Sequence, residues 1–169
     1  MRKLLMVLIL ICCLVLPGTL FHYWSWAGIK PDLAMLWVIY LALHHRLDQS
    51  VGYGLGIGLI VDFYLGHNIG LYAITFTVVA LLARLIQQRW YKENIPLTAA
   101  LVFIVSLLGQ TLVFLIALTA GLNWFFGDAI KLIVGIAFYN SLLVPITYPF
   151  IHKSFNEGFL RPKTKYELF

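Results

Sequence analysis

Residues 97–120 read LTAALVFIVSLLGQTLVFLIALTA, a run of 24 residues without one charged side chain. A transmembrane helix needs about 20 mostly apolar residues to cross the hydrocarbon core of a bilayer. This run therefore predicts a membrane-spanning helix. Five further apolar runs predict helices near 4–24, 32–45, 49–66, 69–88 and 129–151. The predicted fold class is an all-α membrane protein with a bundle of six transmembrane helices.

The composition of the chain supports this class. Hydrophobic residues make up 62% and charged residues 11% of the 169 residues, where soluble proteins have about 45–50% and about 25%. A soluble fold could not cover so much apolar surface with so few charges. The six predicted helices leave only short connections. We therefore expect a single integral membrane domain over 1–169, which ends in a short basic tail at 152–169.

The lysines and arginines predict how the chain crosses the bilayer, because cytoplasmic loops are enriched in them. With the N-terminus inside, the inner segments hold ten of these residues and the outer segments hold two. The inner set is Arg2, Lys3, Arg46, Arg84, Arg89, Lys92, Lys153, Arg161, Lys163 and Lys165, and the outer set is Lys30 and Lys131. We therefore expect both termini in the cytoplasm. The net charge of +5 then indicates orientation and contact with anionic lipids rather than nucleic acid binding.

The N-terminal segment resembles a signal peptide, with Arg2 and Lys3 ahead of the apolar run 4–16. Pro17 and Gly18 follow this run, where a cleaved signal would show a small-residue motif such as A-x-A. We therefore expect the first helix to be retained.

The second predicted helix is short, since its uninterrupted apolar stretch covers only 33–43. Two arrangements fit this length. The helix can span a thinned or protein-lined region, with His44, His45 and Arg46 at the cytoplasmic face. Alternatively, helices two and three form a re-entrant hairpin that enters from outside and leaves four true crossings. We favour spanning, because the hairpin would hold Arg46 at the centre of the membrane at a cost of about 2.5–3.5 kcal/mol.

The third predicted helix begins with the glycine-rich stretch 51–58, which reads VGYGLGIG. Gly52 and Gly56 form one pair of small residues, and Gly54 and Gly58 form another about 200° around the helix. Small residues at this spacing let neighbouring helices approach closely. We therefore expect neighbours on both sides of this helix and a position inside the bundle. The stretch is not G-x-G-x-x-G and no G-K-[ST] follows, so it does not indicate a phosphate-binding loop.

Asp62 is the acidic residue that falls inside a predicted spanning segment. A carboxylate in the membrane is a functional candidate whose partner should be identified. Four residues from the outer end of its helix, it would lie about 6 Å below the interface. Its predicted ion-pair partners are Lys30 and Lys131, the two cations on the outer side. The alternatives are a carboxylate that caps the following turn and a contact or ligand site.

The remaining polar residues do not indicate catalysis. Interhelical hydrogen bonds are predicted for Ser106, Gln110, Thr111, Asn140 and Ser141. The five histidines show no metal-binding spacing, and no nucleophile lies in a catalytic motif. We therefore expect no enzyme activity, no cofactor and no metal. Pro145 and Pro149 are expected to break up the end of helix six, after which the basic tail leaves toward anionic lipids or an acidic partner.

Two blocks of this sequence resemble one known family. The first block contains Lys30-Pro31-Asp32, Ile39-Tyr40, His45-Arg46, Val51-Gly52 and Gly54. The second is 58–70, GLIVDFYLGHNIG, in which a G-x₃-D-x₃-G-x₃-G signature is formed by Gly58, Asp62, Gly66 and Gly70. In this order and spacing, the blocks resemble the bacterial rod shape-determining protein MreD family. One departure is His44, which stands where family members often carry proline.

The resemblance implies a non-catalytic scaffold of the cell-elongation machinery in a bacterial inner membrane. It implies binding to the single-span protein MreC, and a link from MreB filaments to the glycan polymerase RodA and its penicillin-binding transpeptidase partner. It also implies a fold similar to the substrate-binding subunits of energy-coupling-factor vitamin transporters. The residues it marks as partner-binding or structural are Gly58, Asp62, Gly66 and Gly70, with Pro31, Asp32 and Arg46 behind them.

A second function fits the same six-helix layout, namely the small-molecule binding subunit of a vitamin importer. Those subunits typically carry small-residue pairs such as A-x-x-x-A on the first helix, where they contact the transport partner. Residues 4–23 of this chain contain no alanine, which counts against this alternative.

Overall fold

The computed structural model describes residues 2–19, 29–66, 69–89, 94–119, 121 and 126–156. Over these ranges the chain forms six α-helices, which confirms an all-helical fold. The helices are α1 (Arg2–Thr19), α2 (Leu33–His44), α3 (Leu47–Leu65), α4 (Leu71–Arg89), α5 (Ile95–Thr119) and α6 (Phe126–Asn156). Helices α2 to α5 begin and end within two residues of the predicted ranges. The end of the predicted first helix and residues 157–169 of the predicted tail lie outside the described residues.

Among the described residues, three helices are long and apolar enough to cross a membrane, namely α4, α5 and the segment Gly127–Phe155 of α6. The apolar part of α1, Met6–Pro17, and the whole of α2 are shorter. Helix α3 has 19 residues, and both Asp48 and Asp62 lie within it. The length and composition of the three long helices fit a membrane protein.

Helix α2 lies at the centre of the bundle and contacts each of the other five described helices. Every residue from 34 to 43 is buried, with at most 8% of its surface exposed. The sequence is compatible with this position, because a helix that is apolar on all sides can be enclosed without burying a polar face. Its 12 residues rise about 18 Å, well short of the hydrocarbon core of about 30 Å. The short second helix is therefore lined by protein along its length.

Helix α2 begins in the middle of the bundle rather than at one end. The backbone N–H of Asp32, which precedes α2, donates to Asn140 Oδ1 at 3.0 Å, and Gln110 Nε2 donates to Asp32 Oδ2 at 3.0 Å. Gln110 and Asn140 lie near the centres of α5 and α6. At the other end of α2, Gln87 from the last turns of α4 donates to the Leu43 carbonyl. Helix α2 thus extends along only one half of the length of the bundle, from its middle to one end.

Helix α6 continues through Pro145 and Pro149 to Asn156, so the prediction that these prolines break up its end is wrong. Each proline removes one backbone donor, but a membrane helix packed against neighbours tolerates this loss. The contacts that hold this part of α6 on α2 are those of Thr147 and Tyr148 with Tyr40, and of His152 and Phe155 with His44. Tertiary packing therefore keeps the helix continuous where the local sequence opposes it.

Candidate functional site

Helices α3 and α4 form a tightly packed hairpin, because two glycines of α3 face the backbone of α4. A Cβ placed on Gly58 would lie 2.5 Å from the Ala73 Cα and 2.5 Å from the Tyr72 carbonyl oxygen. A Cβ placed on Gly54 would lie 2.5 Å from the Phe76 carbonyl oxygen. Such an approach of two backbones requires glycine. The close contact predicted for Gly54 and Gly58 is therefore present.

The opposite side of α3 is open. Nothing that the structure describes lies within 4 Å of a Cβ placed on Gly52 or Gly56. The expectation that α3 is sandwiched inside the bundle is thereby corrected, because α2 and α4 cover α3 from one side. Beside the two glycines, the side chains of Leu55, Ile60 and Phe63 are exposed. Helical spacing places these five residues on one stripe, which we call the open face of α3.

Asp62 is completely buried and caps the first turn of α4. Its Oδ2 accepts the backbone N–H groups of Gly70 at 2.9 Å and Ala73 at 3.0 Å, and its Oδ1 accepts that of Tyr72 at 2.9 Å. The first amides of a helix have no partner within that helix, and the helix dipole favours a negative charge beside them. Asp62 satisfies them from another helix. Of the predicted alternatives for Asp62, the structure shows the cap.

The two lysines predicted as ion-pair partners of Asp62 do not reach it within the described part of the chain. Lys131 instead approaches Asp128, with 4.0 Å between Nζ and Oδ1. Both of these side chains are mostly exposed, so their pair contributes little to stability. Lys30 forms no ion pair with any described residue. The physical reason is that three backbone amides already satisfy the Asp62 carboxylate.

The two glycines that follow Asp62 in the signature shape the connection between α3 and α4. Gly66 ends α3 in the left-handed conformation with φ 66°, and its N–H donates to the Asp62 carbonyl oxygen at 3.0 Å. Gly70 also has a positive φ, 107°, directly before α4. Residues with side chains rarely adopt these angles. Each residue of the signature thus has a role: Gly58 allows the close approach of α4, Asp62 caps α4, and Gly66 and Gly70 adopt positive φ angles. Residues 67–68 lie outside the described ranges.

A second polar centre surrounds Asp32 in the middle of the bundle. Its Oδ1 accepts the Met35 N–H at 2.9 Å, which caps α2, while its Oδ2 accepts from Gln110. Asn140, which binds the Asp32 backbone, also donates to Ser106 Oγ at 3.2 Å. Interhelical hydrogen bonds were predicted from the sequence for Gln110 and Asn140, but Asp32 was not predicted as the partner that these two residues share. The sequence does contain a signal for the capping role of Asp32, because an aspartate directly before an apolar run is typical of a helix N-cap.

Replacing Gln110 by leucine is expected to destabilise the protein, because the Asp32 carboxylate loses its side-chain donor. A hydrogen bond to a charged group contributes about 1.5–3 kcal/mol. The control is Thr111→Val, since the Thr111 hydroxyl bonds only to the Leu107 carbonyl of its own helix within the described chain and its loss is expected to cost less than about 1 kcal/mol. The measurement is the midpoint of thermal unfolding in detergent. Equal shifts for both variants would contradict a specific Asp32–Gln110 contact.

The two remaining residues that the resemblance implies lie on either side of α2. Pro31 is buried in the extended segment before α2. In the same segment Ile29 packs against α6, where a Cβ placed on Gly135 would lie 2.5 Å from Ile29 Cδ1. Arg46 takes the N-cap position of α3 with φ −69° and ψ 158°, but its side chain is exposed and caps nothing. Pro31 therefore acts in packing, while Arg46 lies at the surface of the α2–α3 turn.

The arrangement around α3 is suited to contact with another helix. Within the ranges that the structure describes, no three His, Cys, Asp or Glu side chains come together as a metal site would require. Asp62, the carboxylate closest to the open face in sequence, is used by three amides and has no exposed surface. The site therefore offers a tightly packed hairpin with one open, apolar helix face.

Comparison with known proteins identifies a family for this chain. A protein-family model described as rod shape-determining protein MreD matches residues 1–155. No curated protein and no solved structure matches the chain. The matched region includes the α3–α4 hairpin, the open face of α3 and the polar centre around Asp32.

Proposed function

The chain belongs to the rod shape-determining protein MreD family, and on this basis we propose that it is a non-catalytic membrane scaffold of the bacterial cell-elongation complex. Membership implies a role in rod shape determination within the MreBCD shape complex. The family is one of shape-determining structural proteins and is not a known enzyme family. The observation that carries the proposal is the family match, because it covers 155 of the 169 residues.

In this proposal all six helices lie in the bacterial inner membrane, and both chain ends face the cytoplasm. The excess of basic residues in the segments assigned to the inside supports this orientation. The three long apolar helices support the membrane location. Helix α2 can be short because the other helices enclose it. The implied likeness to the substrate-binding subunits of vitamin transporters stays a prediction, since no solved structure matches.

We assign the open face of α3 to the membrane-spanning helix of MreC. Helices in lipid associate through close packing, and small residues allow their backbones to approach. Gly52 and Gly56 offer such a surface, since no described atom lies within 4 Å of a Cβ at either position. The exposed side chains of Leu55, Ile60 and Phe63 can pack beside an incoming helix. The buried Asp62 supports this face from within rather than touching the partner.

The proposal also includes the other partners that the family resemblance implies. With MreC bound on α3, the scaffold links MreB filaments on the cytoplasmic side to RodA and its penicillin-binding transpeptidase. The basic segments assigned to the inside, with the tail 152–169, contact anionic lipid headgroups. Such contacts would hold the cytoplasmic ends of the helices at the inner leaflet while the partners act on either side of the membrane.

Replacing Gly56 by leucine is expected to reduce the amount of co-purified MreC by roughly tenfold, equivalent to about 1.4 kcal/mol of binding free energy. The leucine side chain would fill the space that the partner backbone needs. The fold should survive, because nothing described lies within 4 Å of the new Cβ. The measurement is capture of MreC from detergent-solubilised membranes, together with the thermal unfolding midpoint of the variant.

The matched control is Gly127→Leu, because Gly127 is also a helical glycine with nothing described within 4 Å of its Cβ but lies at the start of α6. Its MreC capture should equal that of the unmodified protein. Undiminished capture by the Gly56→Leu variant, together with normal rod shape, would remove the open face from the proposal. Equal losses in both variants would show a general effect of added bulk.

A further inference from the structure

The last turns of α2 and α6 meet in a pair of histidine rings. His44 Nε2 and His152 Nδ1 lie 3.3 Å apart, within hydrogen-bonding distance. Phe155 stacks on the His44 ring with 4.4 Å between the ring centroids, and Tyr148 stacks on the His152 ring with 5.3 Å between them. Both imidazoles are half-buried and keep some exposed surface, so protons from water can reach them. The pair is therefore a contact between two helices that can respond to pH.

The backbone of α2 restricts how the pair can be protonated. His44 Nδ1 lies 2.9 Å from the Tyr40 carbonyl oxygen, which can only accept, so Nδ1 carries a hydrogen. When both rings are neutral, His152 Nδ1–H donates to His44 Nε2. One additional proton, on either ring, still leaves one donor and one acceptor between the two facing nitrogens. The hydrogen bond between α2 and α6 therefore survives the first additional proton.

A second additional proton removes this hydrogen bond. Both facing nitrogens would then carry hydrogen, and two cationic rings would meet with 3.3 Å between these nitrogens. Like charges this close oppose protonation, so the two rings titrate as a coupled pair. Once the helices separate, each histidine binds its own proton as the pH falls through the ordinary range of histidine, about 8 to 5. The separated state then holds more protons than the contact, and acidification favours separation.

The other ionisable side chains at this end of the bundle are mostly cationic. His45 is buried, and its Nδ1 lies 3.0 Å from the Leu41 carbonyl oxygen. Asp48 in the first turn of α3 is acidic but exposed, so water and salt screen its effect. The first turns of α5 hold no charged residue. The positive charges at this end make a second additional proton on the pair still less favourable. The remaining ionisable groups are Arg2 and Lys3 on α1, Arg46 and Tyr53 on the α2–α3 turn and α3, Arg84 and Arg89 on α4, and Tyr148 and Lys153 on α6.

A proline lies three residues before the histidine of α6. Pro149 has no N–H to donate to the Pro145 carbonyl oxygen, and prolines are common points of bending in long helices. Before Pro149, α6 is held on α2 by the hydroxyl pair of Tyr40 and Thr147 at 2.6 Å, which does not change charge in this pH range. After Pro149, residues 150–156 are held by the histidine pair and by the stacking of Phe155. The contact that responds to protons therefore belongs to the part of α6 that can bend away.

We propose that His44 and His152 form a proton-operated latch between α2 and α6. The latch holds residues 150–156 on α2 at neutral pH and releases them about Pro149 when the second additional proton binds. In the proposed orientation it lies at the cytoplasmic end of the bundle, where α6 leads into residues 157–169 of the basic tail. The latch is separate from the open face of α3 and does not depend on MreC.

The test is hydrogen–deuterium exchange of the purified full-length protein in detergent at about pH 8 and about pH 5.5, with rates corrected for the intrinsic pH dependence of amide exchange. In the unmodified protein, the protection of amides 150–156 should be about tenfold lower at the acidic pH, because the released state binds about one proton more. Protection of α5 should stay the same. His152→Asn should remove this pH dependence, since a side-chain amide can either donate to His44 Nε2 or accept from it. His44→Gln should remove it for the same reason.

The control is His45→Gln, which should keep the tenfold change, because His45 Nδ1 pairs with the Leu41 carbonyl of α2. The ratio of protection at the two pH values is the readout, so a general loss of packing in a variant does not affect the comparison. Equal protection of 150–156 at both pH values in the unmodified protein would overturn the proposal, as would an unchanged ratio in His152→Asn. Loss of the change in His45→Gln would assign the titration to His45, and an equal fall throughout α5 would show general unfolding by acid.

Discussion

Replacing Asp62 by leucine is expected to lower the free energy of unfolding by about 3 kcal/mol or more. The reason is that the N–H groups of Gly70, Tyr72 and Ala73 all lose their acceptor, and each buried donor left unsatisfied costs about 1–3 kcal/mol. A loss of this size is a large part of the total stability of about 5–15 kcal/mol that is typical of a folded domain. The measurement is the thermal unfolding midpoint in detergent. We expect little folded protein to be recovered.

The conservative variant Asp62→Asn separates the cap from the bulk of the side chain. Its amide oxygen can still accept, but its NH₂ group would face backbone donors, so an intermediate loss is expected. The matched control is Asp128→Asn, because Asp128 is exposed in the first turn of α6 and its replacement should change stability by less than about 1 kcal/mol. Similar midpoints for the two asparagine variants would show that Asp62 does not act as the cap of α4.

The same variants connect the cap to partner binding. If the open face of α3 binds MreC, Asp62→Asn should reduce MreC capture only to the extent that it loosens the α3–α4 hairpin. Undiminished capture together with normal rod shape would remove Asp62 from the proposed function. The capping role of Asp62 would then be supported only by the unfolding midpoints of its variants.

Replacing Gly58 by alanine is expected to destabilise the protein by about 1–3 kcal/mol or more, because the new Cβ meets backbone that cannot move aside. The closest atoms, Ala73 Cα and the Tyr72 carbonyl oxygen, lie 2.5 Å from its position. The hairpin would have to separate, and Asp62 would be drawn away from the amides that it caps. Gly54→Ala should act in the same direction, since the Phe76 carbonyl oxygen lies 2.5 Å from its Cβ.

The controls lie on the same helix. Gly52→Ala and Gly56→Ala place a Cβ where nothing described lies within 4 Å, and alanine favours a helix over glycine by about 1 kcal/mol. These two variants should therefore be neutral or more stable by thermal unfolding in detergent. Stability changes of opposite sign within one glycine-rich stretch would be specific to this packing, in which Gly54 and Gly58 face α4 and Gly52 and Gly56 do not. Equal destabilisation by all four variants would contradict the distinction between the closed and open sides of α3.

Hydropathy placed α2 to α5 within two residues of their ends, because the cost of placing a polar group in lipid is local and can be summed along the chain. The local helix-breaking property of proline gave a wrong prediction at Pro145 and Pro149, because contacts of Thr147, Tyr148 and Phe155 with α2 keep α6 helical. The glycine spacing correctly indicated close helix contact. It could not tell which side of α3 would be covered.

At the candidate site, the sequence likewise predicted the importance of Asp62 but not its partner. The sequence identified it as a carboxylate that needs a partner, because an unpaired charge in a membrane segment is expensive. The choice of partner depends on which groups lie nearest in space, and three amides at the start of α4 are closer than either of the two lysines predicted as partners. Asp32 was predicted only as a residue that the family resemblance marks, and its role as the cap of α2 was found in the structure. Its link to Gln110 appears only when three helices meet.

The amino-acid sequence by itself determined an all-helical fold with long apolar helices that fit a membrane protein, a glycine-rich third helix and a family signature at 58–70. These properties follow from short-range chemistry, namely hydrophobic transfer, helix-length limits and residue spacing. Only the tertiary structure decided that α2 is the enclosed centre, that one side of α3 is closed, and that Asp62 caps α4. Those outcomes depend on how the helices cross, and crossing is fixed by contacts between residues far apart in the chain.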